Sequence, residues 1–155
     1  MRTARLNKMF DAITVLDSVN YIKTSGDLRK MFETAHKHLR SGGVFLVFIE
    51  KLPKTIKQNQ TDYFSHTIGS KEITVIENLY DADTNDNVYE EWFVYIIHET
   101  GKTNIYKEKH VCGVFKPEVW KDLAEKTGFT ADFIKVKSKA FPQNHPYYML
   151  VNVKK

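Results

Sequence analysis

Phe10-Asp11-Ala12-Ile13-Thr14-Val15-Leu16 is followed by Asp17-Ser18-Val19-Asn20-Tyr21, and Val44-Phe45-Leu46-Val47-Phe48-Ile49 lies further on, behind Gly42-Gly43. The first run is apolar and β-branched, as suits a buried strand. The second is built from residues that favour turns. Thr24 is placed to cap a helix with Asp27 in its first turn, where the helix dipole favours an acid. Leu28, Met31, Phe32, Ala35 and Leu39 then recur at helical spacing and make one apolar face. Gly42 and Gly43 can take the left-handed backbone conformation that ends a helix. Val44 to Ile49 is apolar throughout, the pattern of a strand buried on both faces of a parallel sheet. Residues 10–50 therefore predict a βαβ unit with a right-handed crossover.

The remainder of the chain looks appended to that unit. Lys51 to Ser70 is polar and predicts a long connection, mobile or lid-forming. Glu72–Tyr80, Val88–His98 and Thr103–Phe115 alternate with turn-rich segments and predict an antiparallel meander over 71–115. In its middle strand Tyr89, Phe93, Tyr95 and Ile97 fall on one side and Trp92, Val94 and Ile96 on the other, which predicts cover on both faces. Over 117–155 the pattern predicts a helix opened by Pro117 and stopped by Gly128, then two strands, 130–137 and 147–153.

At 155 residues the chain fits one domain, 1–155, and can bury a core. Its apolar stretches fall short of the roughly 20 residues needed to span a bilayer, so no membrane partner is expected. Cys112 is the single cysteine, so no internal disulfide forms and a cytoplasmic setting is expected. The formal net charge is +4, but acids are interleaved with the lysines. Such a diffuse excess reads as an ordinary protein surface and disfavours a nucleic-acid partner.

Several constellations imitate sites. Asp81, Asp83, Asn85 and Asn87 resemble the start of a calcium loop, but Asp86 stands where glycine is needed and Trp92 where a bidentate glutamate is needed. The six histidines show no metal-binding spacing, so no metal is expected. His110 and Cys112 share a strand face, yet no third residue is evident to orient them as base and nucleophile. Asp17 follows the carboxyl end of a predicted parallel strand, where open α/β sheets bind ligands; a structural turn explains it equally well.

Phe10-Asp11-Ala12-Ile13, Leu16-Asp17-Ser18-Val19-Asn20-Tyr21, Asp27-Leu28 and His38-Leu39-Arg40-Ser41-Gly42-Gly43-Val44-Phe45 resemble, in order and spacing, the central part of class I S-adenosylmethionine-dependent methyltransferases. In that family the turn before the last strand of this pattern reads L-R-P-G-G; here Ser41 replaces the proline. Glu118 to Phe129 resembles the family's last helix with its closing G-F, and Lys109-His110 through Phe115 is similar to nucleotide-sugar amine methyltransferases. The resemblance implies a partial Rossmann-like α/β sheet, the βαβ unit with a C-terminal helix and β-hairpin, carrying the meander as an insertion.

It also implies S-adenosylmethionine as cofactor and a small-molecule acceptor such as a sugar amine. Met1 and Arg2 would border the adenine, and Leu16, Asp17 and Ser18 the methionine part. Tyr89, Trp92 and Tyr95 would line the acceptor side. His110 would take the acceptor's proton, although a partly exposed strand histidine needs no such role. The family's glycine-rich turn and its ribose-binding acid have no counterpart here. The chain is therefore expected to correspond to the family's C-terminal half, to bind cofactor weakly and to be inactive or weakly active alone. It is further expected to form a homo-oligomer or to pair with a complementary N-terminal fragment. The alternatives are a non-catalytic subunit and a stand-alone ligand- or nucleic-acid-binding module.

Overall fold

The computed structural model describes residues 2–136 and 147–155. In chain order the strands are β1 (Phe10–Val15), β2 (Leu39–Ile49), β3 (Gln60–Ile68), β4 (Lys71–Tyr80), β5 (Val88–Glu99), β6 (Lys102–Gly113), β7 (Phe129–Val136) and β8 (Tyr147–Lys154). The helices are α1 (Ser25–His38) and α2 (Pro117–Lys126), with short 3-10 turns at Asp17–Tyr21 and Pro53–Thr55. The chain divides into two compact units, Met1–Thr55 with Gly113–Lys155, and Ile56–Cys112.

The first unit holds a four-stranded sheet in the order β1-β2-β8-β7. β1 and β2 run parallel, as the crossover through α1 requires, while β8 is antiparallel to both β2 and β7. Thr24 caps α1: its Oγ1 accepts the Asp27 N–H at 3.1 Å. The Lys30 ammonium bonded to Asp27, with Arg2 beside it, holds that carboxyl below the ordinary range. Leu28, Met31, Phe32 and Ala35 on α1 are buried against Phe45, Val47 and Ile49 of β2 and Phe129 of β7. Phe32 packs edge-on to Phe45 and Trp120, at ring-centre distances of 5.7 and 6.5 Å. Each such fully buried side chain contributes about 2 kcal/mol of apolar burial.

Two expectations for this unit need correction. The helix does not run to the glycine pair; it ends at His38, with Leu39 already extended. The sheet register passes from Phe10↔Leu39 to Ala12↔Val44, so residues 40–43 bulge opposite Asp11. Gly42, at φ 75°, turns the chain within the bulge, and a Cβ on Gly43 would lie 2.9 Å from the Arg40 carbonyl. The glycines thus serve a strand bulge, because the carbonyls of Arg40 and Asp11 crowd that corner. Secondly, neither parallel strand is buried on both faces. Phe45, Val47 and Ile49 are buried, whereas Val44, Leu46 and Phe48 are half-buried. Among the described strands β1 forms an edge of the sheet, paired with β2 alone, and of its residues only Val15 is buried.

The second unit is an antiparallel sheet in the order β3-β4-β5-β6. It contains a strand, β3, where the polar composition of residues 51–70 predicts a connection. β3 pairs with β4 from Gln60↔Leu79 to Ile68↔Lys71. Its residues are exposed apart from Gln60, including Tyr63 and Phe64, so no apolar periodicity betrays it. At mid-strand β5 is partly covered on both faces, since Phe93 to Ile97 are all half-buried, and full burial on this strand is confined to Tyr89 and Glu91. The Asp81–Asn87 segment folds into successive side-chain turns. Asp81 accepts the Asp83 N–H, Asp83 that of Asn85, and Asp86 that of Val88, at 3.2, 3.0 and 2.8 Å. Burial pushes the Asp81 carboxyl above its ordinary range, opposed by the bond from Asp83.

Candidate functional site

Parallel strands end with their carbonyl groups pointing past the sheet, and ligands of α/β proteins collect there. At that end of β1, Leu16 is 58% exposed and leads into the 3-10 turn Asp17–Tyr21. The turn is closed by the Ile22 N–H on the Val19 carbonyl at 3.0 Å, and Val19 and Ile22 anchor it in the core. Ser18 remains exposed on the turn. At the same end of β2, Glu50 and Lys51 follow directly on Ile49. Asn20 Nδ2 donates to Glu50 Oε2 at 3.4 Å, and Lys51 Nζ lies 3.3 Å from Glu50 Oε1. The Lys51 side chain is 8% exposed and that of Glu50 28%.

Asn20, Glu50 and Lys51 were missed from the sequence. The available signal was a polar pair immediately after an all-apolar parallel strand, the argument that had been applied to Asp17 after β1.

The other expected residues are dispersed. Met1 lies outside the described residues. Arg2 is engaged at α1: its guanidinium pairs with Asp27 and its carbonyl accepts the Thr34 hydroxyl at 2.9 Å. Tyr89 is buried, with its hydroxyl donating to Glu91 at 3.1 Å. Cys112 Sγ lies 3.5 Å from the other oxygen of that carboxylate. Tyr95 stacks on Phe93 at 6.3 Å, and Phe93 also meets the His110 ring at 5.1 Å. His110 Nε2 is 3.4 Å from a Glu108 oxygen. Trp92 sits in a different group, donating to Glu90 at 2.9 Å with Lys109 over its ring at 5.3 Å. The bond from Lys109 and then that from Trp92 hold the Glu90 carboxyl below its ordinary range. The structure thus brings Tyr95, Phe93 and His110 together and leaves Trp92 apart. Among the described residues no group of three His, Cys, Asp or Glu is placed to hold a metal.

A separate cavity of about 340 Å³ lies along β1 and α1, lined chiefly by Leu6, Phe10, Ile13, Met31, Ala35 and Phe45. Its one imidazole, His38, accepts the Leu6 N–H on Nε2 at 3.0 Å and meets the Thr34 carbonyl through Nδ1 at 2.8 Å. With both ring nitrogens engaged, this cavity suits apolar packing rather than chemistry. No described helix is long and apolar enough to cross a membrane.

No protein-family model matches the chain, and no curated protein matches its sequence. Solved structures do match its fold. S-adenosylmethionine-bound CalS10, an amino pentose methyltransferase from Micromonospora echinaspora, superposes with a TM-score of 0.85 at 14% identity, over 99% of this chain and 62% of its own. DesVI of Streptomyces venezuelae gives 0.85 at 18% identity, with the same coverage. The sugar N-methyltransferase KedS8 from a Streptoalloteichus species gives 0.83 at 15% identity, over 99% of this chain and 60% of its own. The chain spans about three fifths of the length of these three proteins, and over that span it has the fold of class I S-adenosylmethionine-dependent methyltransferases.

Proposed function

We propose that the chain is the acceptor-side portion of a methyltransferase that uses S-adenosylmethionine to methylate a small-molecule amine, a sugar amine being the favoured substrate. The observation that carries this reading is the superposition on a cofactor-bound amino pentose methyltransferase across 99% of the chain. When bound, the cofactor supplies a methyl group on a sulfonium. The chain's residues would hold the acceptor nitrogen in line with that methyl and receive the proton that the nitrogen gives up. Alignment and exclusion of water do most of the work in such a displacement, so few reactive side chains are needed.

The residues present fit one end of the cofactor. Exposed Leu16 and Ser18, at the carboxyl end of β1, suit the methionine part, and Asp17 starts the same turn. Arg2, proposed to border the adenine, is committed to Asp27, and no glycine-rich turn follows a strand at the carboxyl end of β1 or β2. His110 is the residue of the second unit assigned to receive the acceptor's proton, with Tyr95 of the same aromatic group proposed beside the acceptor; Tyr89, buried on Glu91, and Trp92, engaged with Glu90 and Lys109, do not join that group.

Cofactor affinity then depends on a further segment bearing the glycine-rich turn and ribose acid. The exposed edge of β1 and the apolar cavity beside it support a complementary strand and helix as the occupant. A second copy of the chain is the other partner that such an edge would take. By calorimetry the chain alone should bind S-adenosylmethionine in the millimolar range or weaker, about −4 kcal/mol. Joined to a glycine-rich strand–turn–helix segment from a matching methyltransferase, it should bind at micromolar levels and methylate an amino sugar. In that joined enzyme His110→Ala should lower turnover about 10²-fold with little change in cofactor affinity. Micromolar binding by the chain alone, or no transfer by the joined enzyme once it binds cofactor, overturns this reading.

A further inference from the structure

Glu50 has acceptor capacity to spare at the carboxyl end of β2. A carboxylate offers about four lone-pair sites. The Asn20 amide at 3.4 Å and the Lys51 ammonium at 3.3 Å take one oxygen each, both at the long end of the hydrogen-bond range. The Glu50 side chain is 28% exposed and that of Lys51 only 8%, so the acid presents the larger accessible surface of the pair. An ionised carboxylate only accepts hydrogen bonds, so an N–H donor suits it and an anion does not.

We propose that Glu50 is the group that receives the acceptor's amine, taking an N–H hydrogen bond while Lys51 keeps the bound amine in its neutral form. This inference rests on the methyl-transfer reading and names the chemical class that its acceptor site takes. A lone carboxylate would bind the ammonium form most tightly, and an ammonium has no lone pair with which to attack a methyl group. A cation held on the same carboxylate opposes a second cation and leaves the neutral amine as the better ligand. Asn20, fixed on the 3-10 turn between buried Val19 and Ile22, holds the second carboxylate oxygen. One N–H donated to Glu50 then leaves the amine's lone pair free.

The test uses the full chain, isotopically labelled, with glucosamine as probe and glucose as its neutral counterpart at pH 7. Glucosamine should shift the backbone amides of Asn20, Glu50 and Lys51 saturably, and glucose should not. Glu50→Gln keeps the shape and removes the charge, and should weaken the response about ten-fold or more. Lys51→Met keeps the buried stem and should strengthen it at least about three-fold, because the freed carboxylate now favours the ammonium. A purely structural Glu50–Lys51 pair would make both variants weaker. Equal responses to glucose and glucosamine, an unaltered response in Glu50→Gln, or weakening in Lys51→Met overturns the proposal. The joined enzyme separates this outcome from failure of the parent reading. Methyl transfer with unchanged kcat/KM in Glu50→Gln defeats the amine site alone. A Glu50-dependent glucosamine response without any methyl transfer defeats the parent reading and leaves the amine site standing.

Discussion

Gly113→Ala should destabilise the protein through a single contact. Gly113 ends β6 where the chain leaves the 3-10 turn of the candidate site, and a Cβ there would lie 1.8 Å from the Ile22 carbonyl oxygen. It would also lie 2.7 Å from the Ile22 carbonyl carbon and 3.0 Å from Lys23 Cα. Relief to even 3.0 Å requires the carbonyl to retreat by 3.0 − 1.8 = 1.2 Å. Ile22 cannot yield freely: its side chain is 4% exposed in the core, and its N–H closes the turn on Val19 at 3.0 Å. Overpacking of this kind costs about 1–3 kcal/mol, and loss of the turn's hydrogen bond adds about 1 kcal/mol. The sum, about 2–4 kcal/mol, corresponds to a fall in Tm of about 4–16 °C for a chain of this size. Gly42→Ala is the control: nothing lies within 4 Å of its Cβ position, so only the left-handed backbone at φ 75° is penalised. That cost is about 1 kcal/mol. Thermal melts followed by circular dichroism decide the comparison. A Gly113→Ala protein that melts within 2 °C of the parent, or at a higher temperature than Gly42→Ala, would falsify the account of this corner.

Thr24→Ala should cost about 1 kcal/mol by releasing the Asp27 N–H, read as a lower urea midpoint at constant slope; a change below 0.3 kcal/mol would deny the cap. Burial, and secondarily the Lys154 charge, hold the His36 imidazole below its ordinary value of 6.5. The unfolded chain then takes up the proton first, so the contribution of His36 is complete above pH 6.5 and is lost as pH falls through the folded value. Urea midpoints at neutral and acid pH should therefore converge in His36→Gln, and an unaltered pH slope would assign it to other groups.

The βαβ unit was legible because its signals agree. Thr24 and Asp27 mark a helix start, Leu28, Met31, Phe32 and Ala35 mark its face, and Val44 to Ile49 is too apolar to lie at a surface. What could not be read depends on contacts distant in sequence. The 40–43 bulge is set by the approach of Arg40 and Asp11 across two strands, so Gly42-Gly43 alone looks like any helix stop. β3 has no buried side to pattern, and its pairing with β4 combines a backbone ladder with polar contacts such as Ser65 Oγ with Thr74 Oγ1 at 2.8 Å, which no apolar period announces. The candidate site shows the same division. Leu16 and Ser18 came from the family resemblance, while the rule for strand ends pointed to Asp17 alone; all three stand in the segment that directly follows β1. Glu50 and Lys51 obey that rule equally well. Their polarity merged with the connection after them, and only the distance to Asn20 separates a site from a linker. The edge position of β1 is the deepest case. Its apolar sequence promises neighbours on both sides, while the described sheet supplies β2 alone. A strand with such a sequence and so little cover is in conflict with itself. That conflict is what a complementary strand would resolve, and it is the physical reason for testing cofactor binding in the joined enzyme as well as in the chain alone.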